Sequence, residues 1–90
     1  MDLITQTIRM RCRAAILRVE RDSKRIRSTF KNYRGTESDT QSAMEMRAFR
    51  LGVQFKQLNH DPFIDWNHPL SKELSKSFLM GAGQRHSSAA

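Results

Sequence analysis

The chain has little cysteine, proline or glycine, and no apolar run approaches the roughly 20 residues that a membrane-spanning helix needs. We therefore expect no membrane insertion. The single cysteine, Cys12, excludes an internal disulfide framework and indicates a reducing compartment, for which the cytoplasm is our first prediction. Neither proline nor glycine occurs before Gly35, so the first third of the chain can form one uninterrupted helix.

Basic residues dominate that same first third. The chain carries a net charge of +7, and residues 1–34 hold ten basic and three acidic residues, whereas the remainder is balanced. Clustered positive charge predicts an anionic partner. An arginine-rich, acid-poor beginning is also typical of mitochondrial targeting segments, so a mitochondrial location is a second possibility. The candidate nucleic-acid-binding residues are Arg9, Arg11, Arg13, Arg18, Arg21, Lys24, Arg25, Arg27, Lys31 and Arg34.

Apolar residues in this segment recur at helical spacing and predict a helix over residues 4–34, ended by Gly35. The predicted core-facing stripe is Ile4, Ile8, Cys12, Ala15, Val19, Ile26, Phe30 and Tyr33. A second, shorter row lies on another side of the helix at steps of seven. We interpret this row as a partner interface, for a second copy of the chain or for another protein: Leu3, Met10 and Leu17.

A second helix is predicted over residues 42–58. Ser42 and Glu45 form a capping-box pattern, although Ser38 with Gln41 offers the same pattern one turn earlier. One apolar stripe contains Met44, Ala48, Leu51, Phe55 and Leu58, and another contains Met46, Phe49 and Val53. A helix that is apolar on two sides is expected to lie between others. Ala48 and Gly52 would form a smooth patch that another backbone can approach closely.

The remaining residues predict a loop over 59–68 and a third helix over 69–81. Pro69 would occupy the first helical position after a cap from Asn67 or His68, and Phe63, Ile64 and Trp66 would pack over the helices. The predicted architecture is all-α, a single domain over residues 1–81 with a flexible tail over 82–90. Its first two helices form an antiparallel hairpin, and the third folds back over them.

Residues that could support chemistry are few. The serines (Ser42, Ser71, Ser75 and Ser77) have no adjacent base, and Cys12 falls on the apolar stripe, which favours a buried structural thiol. His60, Asp61, Asp65 and His68 do not match a zinc-binding spacing, and turn and capping roles explain them better. Phe63 and Trp66 could stack on unpaired bases, but a role in the small core is favoured. We predict a protein that is not an enzyme, with no metal and no cofactor.

One part of the chain, residues 45–82, resembles a known family. It has a helix with Ala48 and Gly52, then Pro62 and Phe63 in a loop, then a helix with Phe78 before Gly81. This arrangement is similar to the ribosome modulation factor family and its small bacterial and phage relatives. The resemblance implies a helix–loop–helix unit that binds RNA or the ribosome, and it implies no catalytic residue.

The sequence therefore predicts an RNA-binding accessory protein, associated with the ribosome, that contacts phosphates through its arginine-rich helix. The alternative is a small protein-binding module, such as a phage or bacterial inhibitor or a subunit of a larger assembly. It would use the same helix on an acidic protein surface. Self-association through the N-terminal half is compatible with both hypotheses.

Overall fold

The structure is a computed structural model that describes residues 2–29, 37–58 and 60–83, with the backbone alone at 27–29, 37, 38 and 58. Three α-helices account for most of these residues: α1 (Leu3–Thr29), α2 (Glu37–Gln54) and α3 (Ser71–Gly81). A short 3₁₀ helix, Lys56–Leu58, follows α2. No strand occurs in the described ranges, and the prediction of an all-α fold with three helices is confirmed.

The first two helices pack side by side in opposite directions. Ile8, near the start of α1, lines a cleft with Phe55 just beyond the end of α2. Glu20, further along α1, lines another cleft with Met44 in the first half of α2. This order along the two helices is that of an antiparallel hairpin, as the sequence predicted.

The core lies against the middle of α1 and not along its whole length. Ile16 is fully buried although the predicted stripe omitted it, whereas Ile4 and Ile26 of that stripe are 72% and 43% exposed. Length explains the exposure of Ile4: α1 spans about 40 Å and α2 about 27 Å, and since Ile8 lies beside Phe55, the start of α1 extends past the end of α2. The buried apolar core consists of Cys12, Ile16, Met44, Ala48, Leu51, Phe63, Leu74 and Phe78.

Two of the predicted helix starts are wrong. Helix α2 begins at Glu37, so Ser42 is an exposed residue within it and not its cap. Helix α3 begins at Ser71, and Pro69 lies in the turn before it. His68 still organises this start, because its Nδ1 accepts a hydrogen bond from the Leu70 N–H (3.0 Å) and its carbonyl oxygen accepts one from Ser71 (3.1 Å).

Helices α2 and α3 meet backbone to backbone at two glycines. A Cβ atom on Gly52 would overlap the carbonyl oxygen of Phe78 and lie 2.9 Å from the Ala82 nitrogen. A Cβ atom on Gly81 would overlap the carbonyl oxygen of Phe49. The predicted smooth patch on α2 is confirmed, and Gly81 supplies the matching surface on α3.

This close contact leaves one side of α2 open. Met46, Phe49 and Val53 are 59%, 44% and 50% exposed, so the expectation that both apolar stripes of α2 would be covered is wrong. Helix α1 covers one flank of α2 and helix α3 covers the other. The side chains of these two helices do not reach the third side of α2.

The loop before α3 closes the core. Phe63 is fully buried and packs edge-to-face on Phe78, with ring centroids 5.8 Å apart, while half-buried Trp66 lies 5.9 Å from Phe63. Ile64 is 52% exposed, so the prediction that it would pack inward is wrong. Asp61 shapes the turn, since it accepts hydrogen bonds from the Phe63 N–H (2.9 Å) and from the Ser75 hydroxyl.

Several predictions lie outside the described residues. They concern the end of the first helix at Phe30, Tyr33 and Gly35, residue 36 before α2, and residues 84–90 of the tail.

Replacing Gly52 by alanine should destabilise the fold by about 1–3 kcal/mol, because the added methyl group meets backbone that cannot rotate away. The free energy of unfolding from urea denaturation measures this change. Ser42→Ala, an exposed substitution on the same helix, is the control and should shift it by less than about 0.5 kcal/mol. Equal stability of Gly52→Ala and the parent would contradict the close helix contact.

Candidate anion-binding surface on the first helix

Four arginines of α1 share one exposed face, which we call the arginine ridge: Arg11, Arg18, Arg21 and Arg25. At 3.6 residues per turn they fall within a sector of roughly 80° and extend about 21 Å along the helix. The ridge lies on the side of α1 away from buried Cys12 and Ile16. Its guanidinium groups are therefore displayed on a helix whose orientation is fixed by the core.

One of the two acidic residues of α1 lies far from this ridge and the other lies at its edge. Glu20 lies on another side, where its carboxylate is 3.1 Å from His68 Nε2 and 3.4 Å from Lys24 Nζ. Partial burial opposes ionisation of Glu20, but its hydrogen bond with His68, together with the neighbouring charge of Lys24, lowers its pKa overall. Asp22 is half-buried at the edge of the ridge, four residues after Arg18 and three before Arg25. The ridge is thus a strip of positive potential that one carboxylate of its own helix offsets in part.

Arg13 has an internal role. Its Nε donates to the carbonyl oxygen of Pro62 (2.8 Å), its Nη2 donates to that of Ile64 (3.2 Å), and its guanidinium carbon lies 5.6 Å from the centre of the Trp66 ring. Partial burial, and secondarily the charge of Arg9, lower its pKa, although an arginine remains charged. These contacts fasten α1 to the loop before α3.

The other predicted cations are distributed around the ridge. Arg9 is half-buried beside Met10 and Arg13 in a shallow depression, and Lys24 is exposed and pairs with Glu20. The side chain of Arg27, and Lys31 and Arg34 entirely, lie outside the described residues.

One cation was missed by sequence analysis. Arg47 of α2 lines a cleft with Arg11 and Cys12 of α1, so a second helix adds positive charge next to the ridge. Its position depends on the antiparallel register of the hairpin, and no local sequence signal carries that register.

An exposed apolar row accompanies the ridge. Leu3, Met10 and Leu17, the predicted partner interface, are 78%, 70% and 47% exposed. On helical geometry the row lies beside the ridge on the outward side of α1. A partner of this surface would therefore meet both guanidinium groups and apolar side chains.

Two of the four loop residues considered as metal ligands, Asp61 and His68, are held by hydrogen bonds. His68 stacks on Trp66, with centroids 4.8 Å apart, and its Nδ1 is an acceptor for Leu70. The remaining nitrogen, Nε2, therefore carries the hydrogen that faces Glu20 in neutral His68. Asp61 caps its turn as described above. Among the residues that the structure describes, no cluster of three or more His, Cys, Asp or Glu side chains could hold a metal ion.

Cys12 is a buried core residue. Burial raises the pKa of its thiol to about 11, and the charge of Arg47 opposes this only in part. A thiol with this pKa is protonated at neutral pH and is a poor nucleophile or metal ligand.

Comparison with known proteins found no match to this chain among family models, curated proteins or solved structures. In the described part of the chain, no helix has both the length and the apolar character to cross a membrane.

The internal role of Arg13 predicts a difference between two conservative changes. Arg13→Lys removes the planar fork that contacts two carbonyl groups and should cost about 1–2 kcal/mol in the free energy of unfolding. Arg18→Lys, on the exposed ridge, should change it by less than about 0.5 kcal/mol. Chemical denaturation of both variants checks this, and equal effects would contradict the assignment of Arg13 to the fold.

Proposed function

We propose that this protein is a non-enzymatic RNA-binding accessory or regulatory protein of the cytoplasm that associates with the ribosome. The observation that carries the proposal is the arginine ridge: four exposed arginines on one face of a helix that packs on the core, with Glu20 on another side and Asp22 at the edge of the ridge. This arrangement suits a chain of regularly spaced phosphates better than a single small anion, because the ridge is extended and has no enclosing pocket.

Two properties of arginine favour the binding of phosphates. Each guanidinium that neutralises a phosphate releases condensed counterions, which gives strong, salt-dependent binding. Its planar fork can also donate two parallel hydrogen bonds to one phosphate, which a lysine ammonium does not do. Because the ridge residues extend from a folded helix, the backbone that carries them is already ordered before binding, and less conformational entropy is lost than with an unfolded basic segment.

The ribosome as the source of the RNA is supported by the family resemblance. The residues that carry it lie close together in the fold: Gly52 meets Phe78, and Phe63 packs on Phe78 across the core. The similarity therefore falls on residues that build a helix–loop–helix unit, and α1 adds the basic surface to that unit.

Binding to a fluorescently labelled RNA should weaken steeply with salt. If all four ridge arginines contact phosphates, log Kobs against log salt concentration should have a slope of about −3 on a single strand and about −3.5 on a duplex. Each ridge variant, Arg18→Ala or Arg21→Ala, should reduce the slope by about 1 and weaken binding to different RNA sequences alike. Fluorescence anisotropy across a salt series measures both quantities.

Arg50→Ala is the matched control, because Arg50 is an exposed arginine on α2 outside the ridge. It should leave the salt slope unchanged. A flat salt response in the parent protein, or equal losses in Arg50→Ala and Arg18→Ala, would contradict the proposal. Cosedimentation with isolated small ribosomal subunits at low and high salt then tests the ribosomal part of it.

A second candidate is favoured by the exposed row Leu3, Met10 and Leu17, since apolar side chains beside arginines also suit an acidic, amphipathic protein surface. Capture of partners by the tagged protein, with and without nuclease treatment, separates the two functions. RNA binding predicts that ribosomal partners are lost after nuclease. Retention of one acidic protein after nuclease, and its loss in Met10→Asp, would favour the protein-binding function.

A further inference from the structure

A groove lies between α1 and α2 next to the arginine ridge, and we call it the α1–α2 groove. It consists of two open clefts that share Gln54 and Phe55 as lining residues. One cleft contains Arg11 of the ridge and Arg47 of α2, and the other contains Lys56 just beyond the end of α2. Neither cleft has a carboxylate among its lining residues. The groove therefore extends the positive potential of the ridge onto a second helix.

Two arginines of different helices meet in the first of these clefts. Arg47 is half-buried, and its charge partly offsets the effect of burial on the pKa of the Cys12 thiol at the same cleft. Among the residues that the structure describes, neither Arg11 nor Arg47 forms an ion pair with a carboxylate. An anion that binds both guanidinium groups relieves their mutual repulsion, and their planar forks suit the oxygen atoms of a phosphate. This cleft therefore has the chemistry of a phosphate site.

Phe55 gives the groove an aromatic wall. Its half-buried side chain packs against the core and also lines both clefts. A ring that the core already holds loses little conformational entropy when a base stacks on it. The two aromatic residues that sequence analysis considered for stacking have other contacts: Phe63 is fully buried, and the ring of Trp66 contacts Arg13 and His68.

Amide groups lie next to this aromatic wall. Gln54 and Gln57 are exposed, and each amide can both donate and accept hydrogen bonds at the edge of a base. The cleft that contains both has a volume of about 420 Å³, within the range of about 300–1,000 Å³ that small-ligand pockets occupy. A base therefore finds a stacking surface, hydrogen-bonding groups and sufficient space beside a phosphate site.

We propose that the α1–α2 groove binds an unpaired nucleotide of the RNA, with its phosphate at Arg11 and Arg47 and its base against Phe55. The inference rests on the proposed RNA-binding function and adds to it a preference for single-stranded RNA. Bases of a duplex are already paired and stacked, so only an unpaired base can present a face to Phe55. Because Arg11 belongs to both surfaces, one strand can contact the ridge and the groove together.

Fluorescence anisotropy with two labelled RNAs tests the proposal: a short single strand without self-complementarity, and the blunt duplex that it forms with its complement. Phe55→Leu keeps an apolar side chain but removes the ring, and it should weaken binding of the single strand at least about fivefold while leaving binding of the duplex unchanged. Phe55→Tyr keeps the ring and should retain the affinity of the parent. Phe49→Leu is the matched control, because Phe49 is exposed on α2 outside the groove, and it should change neither affinity.

Arg47→Gln is a second variant that leaves the aromatic wall intact. It should reduce the slope of log Kobs against log salt concentration on the single strand by about 0.7, because one phosphate contact is lost. Circular dichroism should show that every variant remains helical.

Three results would overturn the proposal: the affinity of the parent in Phe55→Leu for the single strand, equal losses of Phe55→Leu on the single strand and the duplex, or an unchanged slope in Arg47→Gln. Any of these, found with a parent protein whose RNA binding depends on salt, leaves binding by the ridge in place. A parent protein without salt-dependent binding to either RNA would instead contradict the ridge and the groove together.

Discussion

The burial of Cys12 and Ile16 in the core fixes which way α1 faces. Two hydrogen bonds from Arg13 to the carbonyl oxygens of Pro62 and Ile64, with its guanidinium over the Trp66 ring, fasten the helix to the loop in that rotation. The arginine ridge faces solvent as a consequence. Arg13 thus stabilises the orientation of α1 in which the four ridge arginines are exposed together.

A second constraint divides the remaining surface. The glycine contact at Gly52 and Gly81 draws α3 onto one flank of α2, α1 occupies the other flank, and the third side stays apolar and open. The arginine ridge and the exposed third side of α2 therefore lie on different sides of a 90-residue chain.

Periodicity predicted the three helices, the antiparallel hairpin and the close approach at Gly52, because these follow from local spacing and from the small size of glycine. It did not predict how far each helix is covered, so Ile4 and the row containing Phe49 were expected inside and are exposed. Sequence analysis also grouped Arg13 with the surface arginines. Helical spacing predicts on which side of the helix a residue lies, but it does not predict the hydrogen bonds that the residue makes to other parts of the fold. The contribution of Arg47 next to Arg11 likewise depends on a register that only the fold defines.

The central claim is that Arg13 stabilises the fold whereas the four ridge arginines bind RNA. The side-chain Nε–Hε NMR signals of arginine test this claim most directly. During titration with an RNA hairpin, the account predicts that the Nε signals of Arg11, Arg18, Arg21 and Arg25 shift together and that the shifts reverse with salt. The Arg13 signal, protected by its contact with Pro62, should be present before RNA is added and should barely move. Large shifts of the Arg13 or Arg50 signals, without shifts of the four ridge signals, would contradict this claim.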